Sequence, residues 1–386
     1  MKEHSLEKNT IQTTTTSCCA DNTSCCGETP SAPLEIAAAS SWICGAVETP
    51  VGLVPRVSTA WTWADHWGQV KARTTSYRMR YAVEPGLYAV GQPNEQSEVL
   101  VSANYKLSFD ILRRELSDMN AWLLVLDTDG INVWCAAGKG TFGTEELIRR
   151  ITQTRLEAVV THKRLIVPQL GAPGVNAVAV QKRTKFHVLF GPVYARDLPA
   201  YIRDGYTASP AMRTVRFSIA DRLILTPIEL RATLKYFPIY ALLVLIIFGL
   251  QPTGILFRDA WLGGWPFLVL GVLAVLSGTV LTPLLLPFIP SRSFAIKGWL
   301  VGVAVMLGAQ WAGIVQPPHA LLLLLIYLFF PLLASYLALQ FTGATTFTSL
   351  SGVKKELRIS IPVYIAGGIV SGLLLILYKL TQWGIV

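Results

Sequence analysis

The sequence predicts an α/β domain on a largely parallel sheet, followed by an all-α bundle of five transmembrane helices. Three observations lead there. Of 386 residues, 52% are hydrophobic and 15% charged, and the mean hydropathy is +0.45, more apolar than an ordinary soluble chain. The apolar mass lies almost entirely beyond Lys235. Before it, residues 50–205 alternate short helical and extended patterns, and one extended stretch, WLLVLD (122–127), is a continuous apolar run of the kind covered on both faces of a parallel sheet.

Taken in order, the first 30 residues are polar and lack the apolar core of a secretory signal. Any membrane segment is then expected inside the chain, with the amino-terminal part cytoplasmic. Residues 1–48 are expected to be a disordered tail containing cysteines, 49–208 a ligand-binding domain, 209–235 a basic juxtamembrane linker and 236–386 the membrane domain. Within the second of these, SFDILRRELSDM places Phe109, Leu112, Leu116 and Met119 on one helical face behind Ser108 as N-cap. The strand WLLVLD follows, then a TDG turn, the stretch NVWCAAGKG (132–140) and a helix from about Thr144. RLIVP, a helix through VNAVAVQKR, the strand FHVLFG and DLPAYI continue the alternation. Ligands of such sheets bind at the carboxyl ends of the strands.

Apolar blocks at 236–256, 265–289, 298–315, 320–341 and 361–378 each suit a hydrocarbon core spanned by roughly 20 helical residues, with membrane lipid as their surroundings. Trp261, Trp265, Trp299 and Trp383 flank them, as an interfacial aromatic belt requires. With the amino-terminal side inside, the inner connectors hold Arg213, Arg216, Arg222, Arg231, Lys235, Arg292, Lys297, Lys354, Lys355 and Arg358, against Arg258 and Lys379 outside. This asymmetry predicts a multi-pass protein of the cytoplasmic membrane with the carboxyl terminus outside. No Asp, Glu, Lys or Arg falls within the blocks. The bundle therefore reads as an anchor or docking surface before a conduit, for which His319, Gln310 and Gln340 are the few polar candidates. The net charge of +9 is spread without the basic clusters and interleaved aromatics of a nucleic-acid surface, so no nucleic-acid partner is expected.

The stretch around Cys135 carries the chemistry. It is not a Walker A loop, because Val133 stands where the first glycine belongs and Gly140 where Ser or Thr follows the lysine. Gly138, Gly140 and Gly143 do form a GxGxxG between strand and helix, but THKRLIVP lacks the acidic residue that a dinucleotide site places about 20 positions on. From spacing alone, Cys135 reads as a buried, inert thiol.

NVWCAAGK, however, resembles the cap-helix signature of the corrinoid protein of the mercury-methylating pair. It is joined by TPVGLVPRVST (49–59), PGLYAVGQP (85–93), VLVSANYKLSFD (99–110), PQLGAPGV (168–175) and FGPVYARDLP (190–199), then by the five-span pattern, so the resemblance runs from residue 49 to the end. The domain also resembles the corrinoid-binding domain of the corrinoid iron-sulfur protein, which implies a Rossmann-like fold. Ser102 stands where the family has Thr, keeping a hydroxyl for the corrin ring.

The resemblance implies a cobalamin held by Ser102, Asn104, Asn132, Val133, Trp134, Cys135, Ala136, Ala137, Gly138, Lys139, Gly171, Gly174 and Gly191. Cys135 would be the catalytic residue, its thiolate the lower cobalt ligand, in a transfer of methyl from methylcobalamin to Hg(II). It also implies a ferredoxin-like partner with two [4Fe–4S] clusters, since no cysteine set here is spaced for a cluster, and a methyltetrahydrofolate-linked methyl donor. A methyl carrier of one-carbon metabolism and an exporter of a metal or its methylated product are the alternatives. Outside the resemblance, Cys18, Cys19, Cys25 and Cys26 form two pairs in a polar tail, read either as idle thiols or as a trap for soft Hg(II); Cys44 completes the count of six.

Overall fold

The computed structural model describes residues 40–345, 347, 348 and 350–385. The tail cysteines Cys18, Cys19, Cys25 and Cys26 lie outside the described residues. Among the described residues, seven strands form one sheet in the order β1-β2-β3-β5-β4-β6-β7. They are β1 (Ile43–Thr49), β2 (Gly52–Val57), β3 (Gly86–Val90), β4 (Glu98–Ala103), β5 (Ala121–Leu126), β6 (Arg164–Val167) and β7 (His187–Phe190). The sheet begins inside the stretch expected as tail: β1 pairs antiparallel with β2, and the neighbouring Trp42 is buried. The sheet is mixed, since β3 also meets β5 antiparallel, while β5, β4, β6 and β7 run parallel.

Strand β5 is buried at every position. Because successive side chains point to opposite faces, Trp122, Leu124 and Leu126 join the core under α3 (Val133–Lys139), α4 (Thr144–Gln153) and α6 (Ala177–Thr184). Leu123 and Val125 join the other, under α2 (Lys106–Glu115) and α7 (Leu198–Arg203). A helix α1 (Trp63–Thr74) precedes these, and a single turn α5 (Leu156–Val159) follows α4. Helix α2 starts before Ser108, the expected cap; Tyr105 is the N-cap, placed there because Tyr105 bridges Ala82 and the Lys106 amide donates to the Tyr81 carbonyl at 2.9 Å. Met119 lies past its end.

The stretch expected as linker contains α8 (Ile219–Leu234), opened by a capping box between Ser218 and Asp221. Next, α9 (Phe237–Gly249) is 13 residues long, roughly 20 Å at 1.5 Å per residue and short of a hydrocarbon core of about 30 Å. It ends in a small hairpin, β8 (Leu250–Gln251) and β9 (Gly254–Ile255), where Pro252 cannot continue the helix and Gly254 takes a φ of +129°. The remaining helices are α10 (Phe257–Leu276), α11 (Thr282–Leu285), α12 (Phe294–Trp311), α13 (Ala320–Gln340) and α14 (Leu350–Gln382), with a π-helical turn at Ser277–Leu281 joining α10 to α11. Among the described residues, four helices are long and apolar enough to cross a membrane, five if α8 and α9, bent by 46°, count as one span.

Candidate functional site

From β4 the chain crosses by α2 to β5 on one side, then returns by α3 to α5 to β6 on the other side of β4. The two crossovers cover opposite faces of the sheet, so they part at the carboxyl ends of β4 and β6, the switch point where ligands bind in such sheets. A cavity of about 400 Å³ lies there. Its walls are Ser102 at the end of β4, Ser108 and Ile111 of α2, Asn132, Val133 and Trp134 at the start of α3, Pro168 and Leu170 after β6, and Tyr194 after β7.

The turn that leads into α3 is fixed from β4. The Asn104 carboxamide oxygen accepts from the Thr128 amide at 3.1 Å and the Gly130 amide at 3.0 Å, in a turn where Asp129 and Gly130 both have positive φ. Beside it, the Glu146 carboxylate accepts from the Asp127 amide at 2.8 Å and pairs with Arg150 at 2.8 Å. Burial pushes the Glu146 carboxyl up, but these donors and Arg149 outweigh it and hold it below its ordinary value.

Helix α3 is capped by Asn132, whose side chain accepts from the Cys135 amide at 2.9 Å. Val133, Ala136 and Ala137 bury one face of it against the sheet. The opposite face shows Trp134, 43% exposed, half-buried Cys135 and exposed Gly138. A side chain added at Gly138 would meet nothing within 4 Å, so a flat group has open approach there. Cys135 does not line the cavity itself; it stands one residue beyond Trp134 on the open face, a free cysteine.

The predicted residues thus divide. Ser102, Asn132, Val133 and Trp134 come together at the cavity, and Cys135, Gly138 and exposed Lys139 continue their helix outward. Asn104 faces the turn. The three remaining glycines serve internal packing: a Cβ at Gly171 would lie 2.4 Å from the Phe142 ring, at Gly174 2.1 Å from the Phe142 carbonyl and at Gly191 2.8 Å from Ile166. Gly140 ends α3 with φ +87° and Gly143 begins α4, which accounts for the GxGxxG without a phosphate. Among the described residues, no three His, Cys, Asp or Glu side chains gather as a metal site.

Sequence reasoning passed over Ile111 and Tyr194 in the cavity wall. It also passed over a buried cluster of Asp65, Lys106, Asp110 and Arg113 beneath α2. The signal for the cluster is present: Lys106, Asp110 and Arg113 lie on the same helical face as the apolar residues of α2.

The family model for the CO dehydrogenase/acetyl-CoA synthase delta subunit matches residues 70–201. The acetyl-CoA decarbonylase/synthase complex subunit gamma of Methanopyrus kandleri is 34% identical over 130 residues, 33% of this chain and 28% of that relative. The same subunit of Methanocaldococcus jannaschii is 36% identical over 100 residues, 25% of this chain and 20% of its own length. The corrinoid/iron-sulfur protein large subunit of Moorella thermoacetica is 31% identical over 123 residues, 31% of this chain and 27% of its own. The chain spans less than a third of the length of these relatives, and the family match falls on the α/β domain that carries the cavity and α3.

Proposed function

We propose that the α/β domain binds a corrinoid on the open face of α3 and transfers its methyl group to Hg(II), giving methylmercury, while the helical region holds the domain at the cytoplasmic membrane. The observation that carries this reading is the arrangement of α3: a free thiol flanked by an exposed tryptophan and an unobstructed glycine, at the switch point of the sheet. The likeness to the corrinoid/iron-sulfur protein large subunit supports that group as the occupant. When bound, it would supply a methyl-bearing cobalt, and the Cys135 sulfur would hold that cobalt and donate charge that favours methyl transfer to an electrophile such as Hg(II).

This chain's residues have distinct tasks in that reading. Cys135 offers the sulfur. Asn132 holds the first turn of α3 so that the sulfur keeps its position, and Ala136 and Ala137 root the helix in the core. Gly138 leaves the ring its room, and Trp134 covers the side toward the cavity. The cavity takes a substituent of the ring rather than the ring itself, with Ser102 supplying a hydroxyl at its floor. Low-potential electrons come from a ferredoxin-like partner with two [4Fe–4S] clusters, and the methyl group from a methyltetrahydrofolate-linked donor. The domain stands in the cytoplasm, with the carboxyl terminus outside.

A carrier passing methyl groups to carbon metabolism is the second reading, favoured by the acetyl-CoA decarbonylase/synthase relatives. It has no need of sulfur. The two separate in this chain, purified anaerobically and supplied with a low-potential reductant. Cys135→Ala is expected to keep its visible corrinoid absorption while methylmercury formation falls about 100-fold or more, the equivalent of about 2.7 kcal/mol of barrier. Cys135→Thr is expected to show a spectrum without sulfur coordination. Near wild-type methylmercury formation in both variants would remove the thiol from the mechanism.

A further inference from the structure

A larger cavity, about 960 Å³, opens between α12, α13 and α14. It sits where α12 and α14 begin and α13 ends, the same end of the bundle at which Phe217, just before α8, stacks near Phe341 and Phe347. On α14 it is lined by Gly352, Lys355, Glu356, Ile359, Ser360 and Val363. These positions recur every three or four residues, one helical face about 16 Å long.

Arg292 and Lys355 line the cavity, exposed, and neither makes an ion pair among the described residues. Glu356 does not neutralise them by contact, because its carboxylate is taken up by the start of α12: one oxygen accepts from the Ser293 hydroxyl at 3.1 Å, the Phe294 amide at 2.8 Å and the Ala295 amide at 3.2 Å. Buried Ser335 and half-buried Tyr364 are partnered with each other at 2.8 Å. The walls of the cavity also include exposed Ile296, Trp299 and Val363 together with Leu332, apolar or, for Trp299, suited to the interface between headgroups and acyl chains.

Two cations without an ion pair beside an apolar wall complement one class of ligand: an amphiphile with an anionic head. We propose that this cavity binds an anionic phospholipid, its phosphate between Arg292 and Lys355 and the upper part of an acyl chain along Trp299, Leu332 and Val363. The end of the bundle is the one where cationic connectors concentrate, and basic pockets between membrane helices on such a side hold anionic headgroups. The occupied cavity would tie α14 to α12 and α13 through lipid as well as protein.

The full chain, purified in detergent and exchanged into mixed phosphatidylglycerol and phosphatidylcholine micelles, tests this by native mass spectrometry. Wild type is expected to retain phosphatidylglycerol about tenfold or more over phosphatidylcholine. Arg292→Gln with Lys355→Gln, at exposed positions that tolerate the change, is expected to lose that preference. Lys354→Gln, which removes the same charge one residue outside the cavity, is expected to keep it. The exchange Arg292→Lys with Lys355→Arg should retain the lipid. Equal retention of the two lipids by wild type, an unchanged preference in the double Gln variant, or an equal loss in Lys354→Gln would overturn the proposal. So would displacement of the lipid by free glycerol phosphate, which would place the affinity in the phosphate alone.

Discussion

In the α/β domain, Asp65, Lys106, Asp110 and Arg113 are buried together, whereas in the helical region Arg222, Lys297 and Lys379 are buried one at a time. The first four close a ring: Lys106 reaches Asp110 at 2.7 Å and Asp65 at 3.2 Å, and Arg113 reaches both carboxylates at 2.9 Å. The Tyr81 hydroxyl donates to Asp110 at 3.1 Å. The three cations of the helical region have backbone carbonyls instead. Arg222 donates to Leu284 at 2.6 Å and Pro283 at 3.3 Å, Lys297 donates to Leu286, and Lys379 donates to Leu250 at 3.1 Å and Phe248 at 3.4 Å. These carbonyls belong to the ends of α11 and α9, where helices stop short and leave acceptors at the negative end of the helix dipole. In the α/β domain buried charge is balanced by opposite charge. In the helical region a buried cation closes a broken helix.

The largest effect that separates these arrangements is expected from Arg113→Ala. It leaves two buried carboxylates facing one ammonium, and breaking a buried ion network from one side costs about 3–5 kcal/mol. Denaturant unfolding of the full chain, followed through the buried Trp42 and Trp122, should show the α/β transition lost or displaced while the helical region holds. The pH dependence has a defined sign. Burial pushes the Asp65 carboxyl up, yet the Thr62 amide, Arg113 and Lys106 outweigh it and hold its pKa at about 2. The unfolded chain then binds the proton first, so this stabilisation is complete above the unfolded value of about 4 and is lost as pH falls toward 2. A loss on the order of 2 kcal/mol is expected over that window, and Asp65→Asn should flatten it.

A middle effect is expected from Lys379→Met, which keeps the length of the stem but leaves the Phe248 and Leu250 carbonyls without their donor. Unpaired buried acceptors cost about 1–3 kcal/mol. Thermal unfolding in detergent should fall for the helical region and leave the α/β transition in place. A drop in both together would mean that the two regions unfold as one unit and would blur the comparison.

How much of this the sequence displayed follows from range. WLLVLD announced a doubly covered strand because burial on both faces is written in every residue of β5. The apolar blocks announced the helices, but α9 ends at Gly249 and not near residue 256, because a Pro-Thr-Gly turn outranks apolar composition. Lys297 and Lys379 were read as connector residues flanking the apolar blocks, yet each lies inside its helix and turns back to a carbonyl contributed by a distant residue. At the site, NVWCAAGK forms α3 with its cap, whereas the Asn104 carboxamide and the spaces beside Gly171, Gly174 and Gly191 are taken up by the chain itself. A glycine needed for packing against Phe142 and one needed for a cofactor look alike in sequence; the partner that decides is some 30 residues away.

The smallest effect lies at α3, where a neutral group does the work that charge does elsewhere. Asn132 is the cap of a helix of seven residues, and with so few turns each satisfied amide is a large share of the total. Asn132→Ala removes the acceptor of the Cys135 amide, a change worth about 1 kcal/mol. The sheet beneath does not depend on it, since Val133, Ala136 and Ala137 keep their burial. Global unfolding should therefore shift little. Amide exchange in residues 133–139 should instead quicken by about fivefold, the factor that 1 kcal/mol represents, with β4 and β5 unchanged. Asn132→Asp, which restores an acceptor, should return exchange to the wild-type rate. If the alanine variant destabilised the whole domain as Arg113→Ala does, α3 would be a structural support of the sheet and not a separately held platform for Cys135.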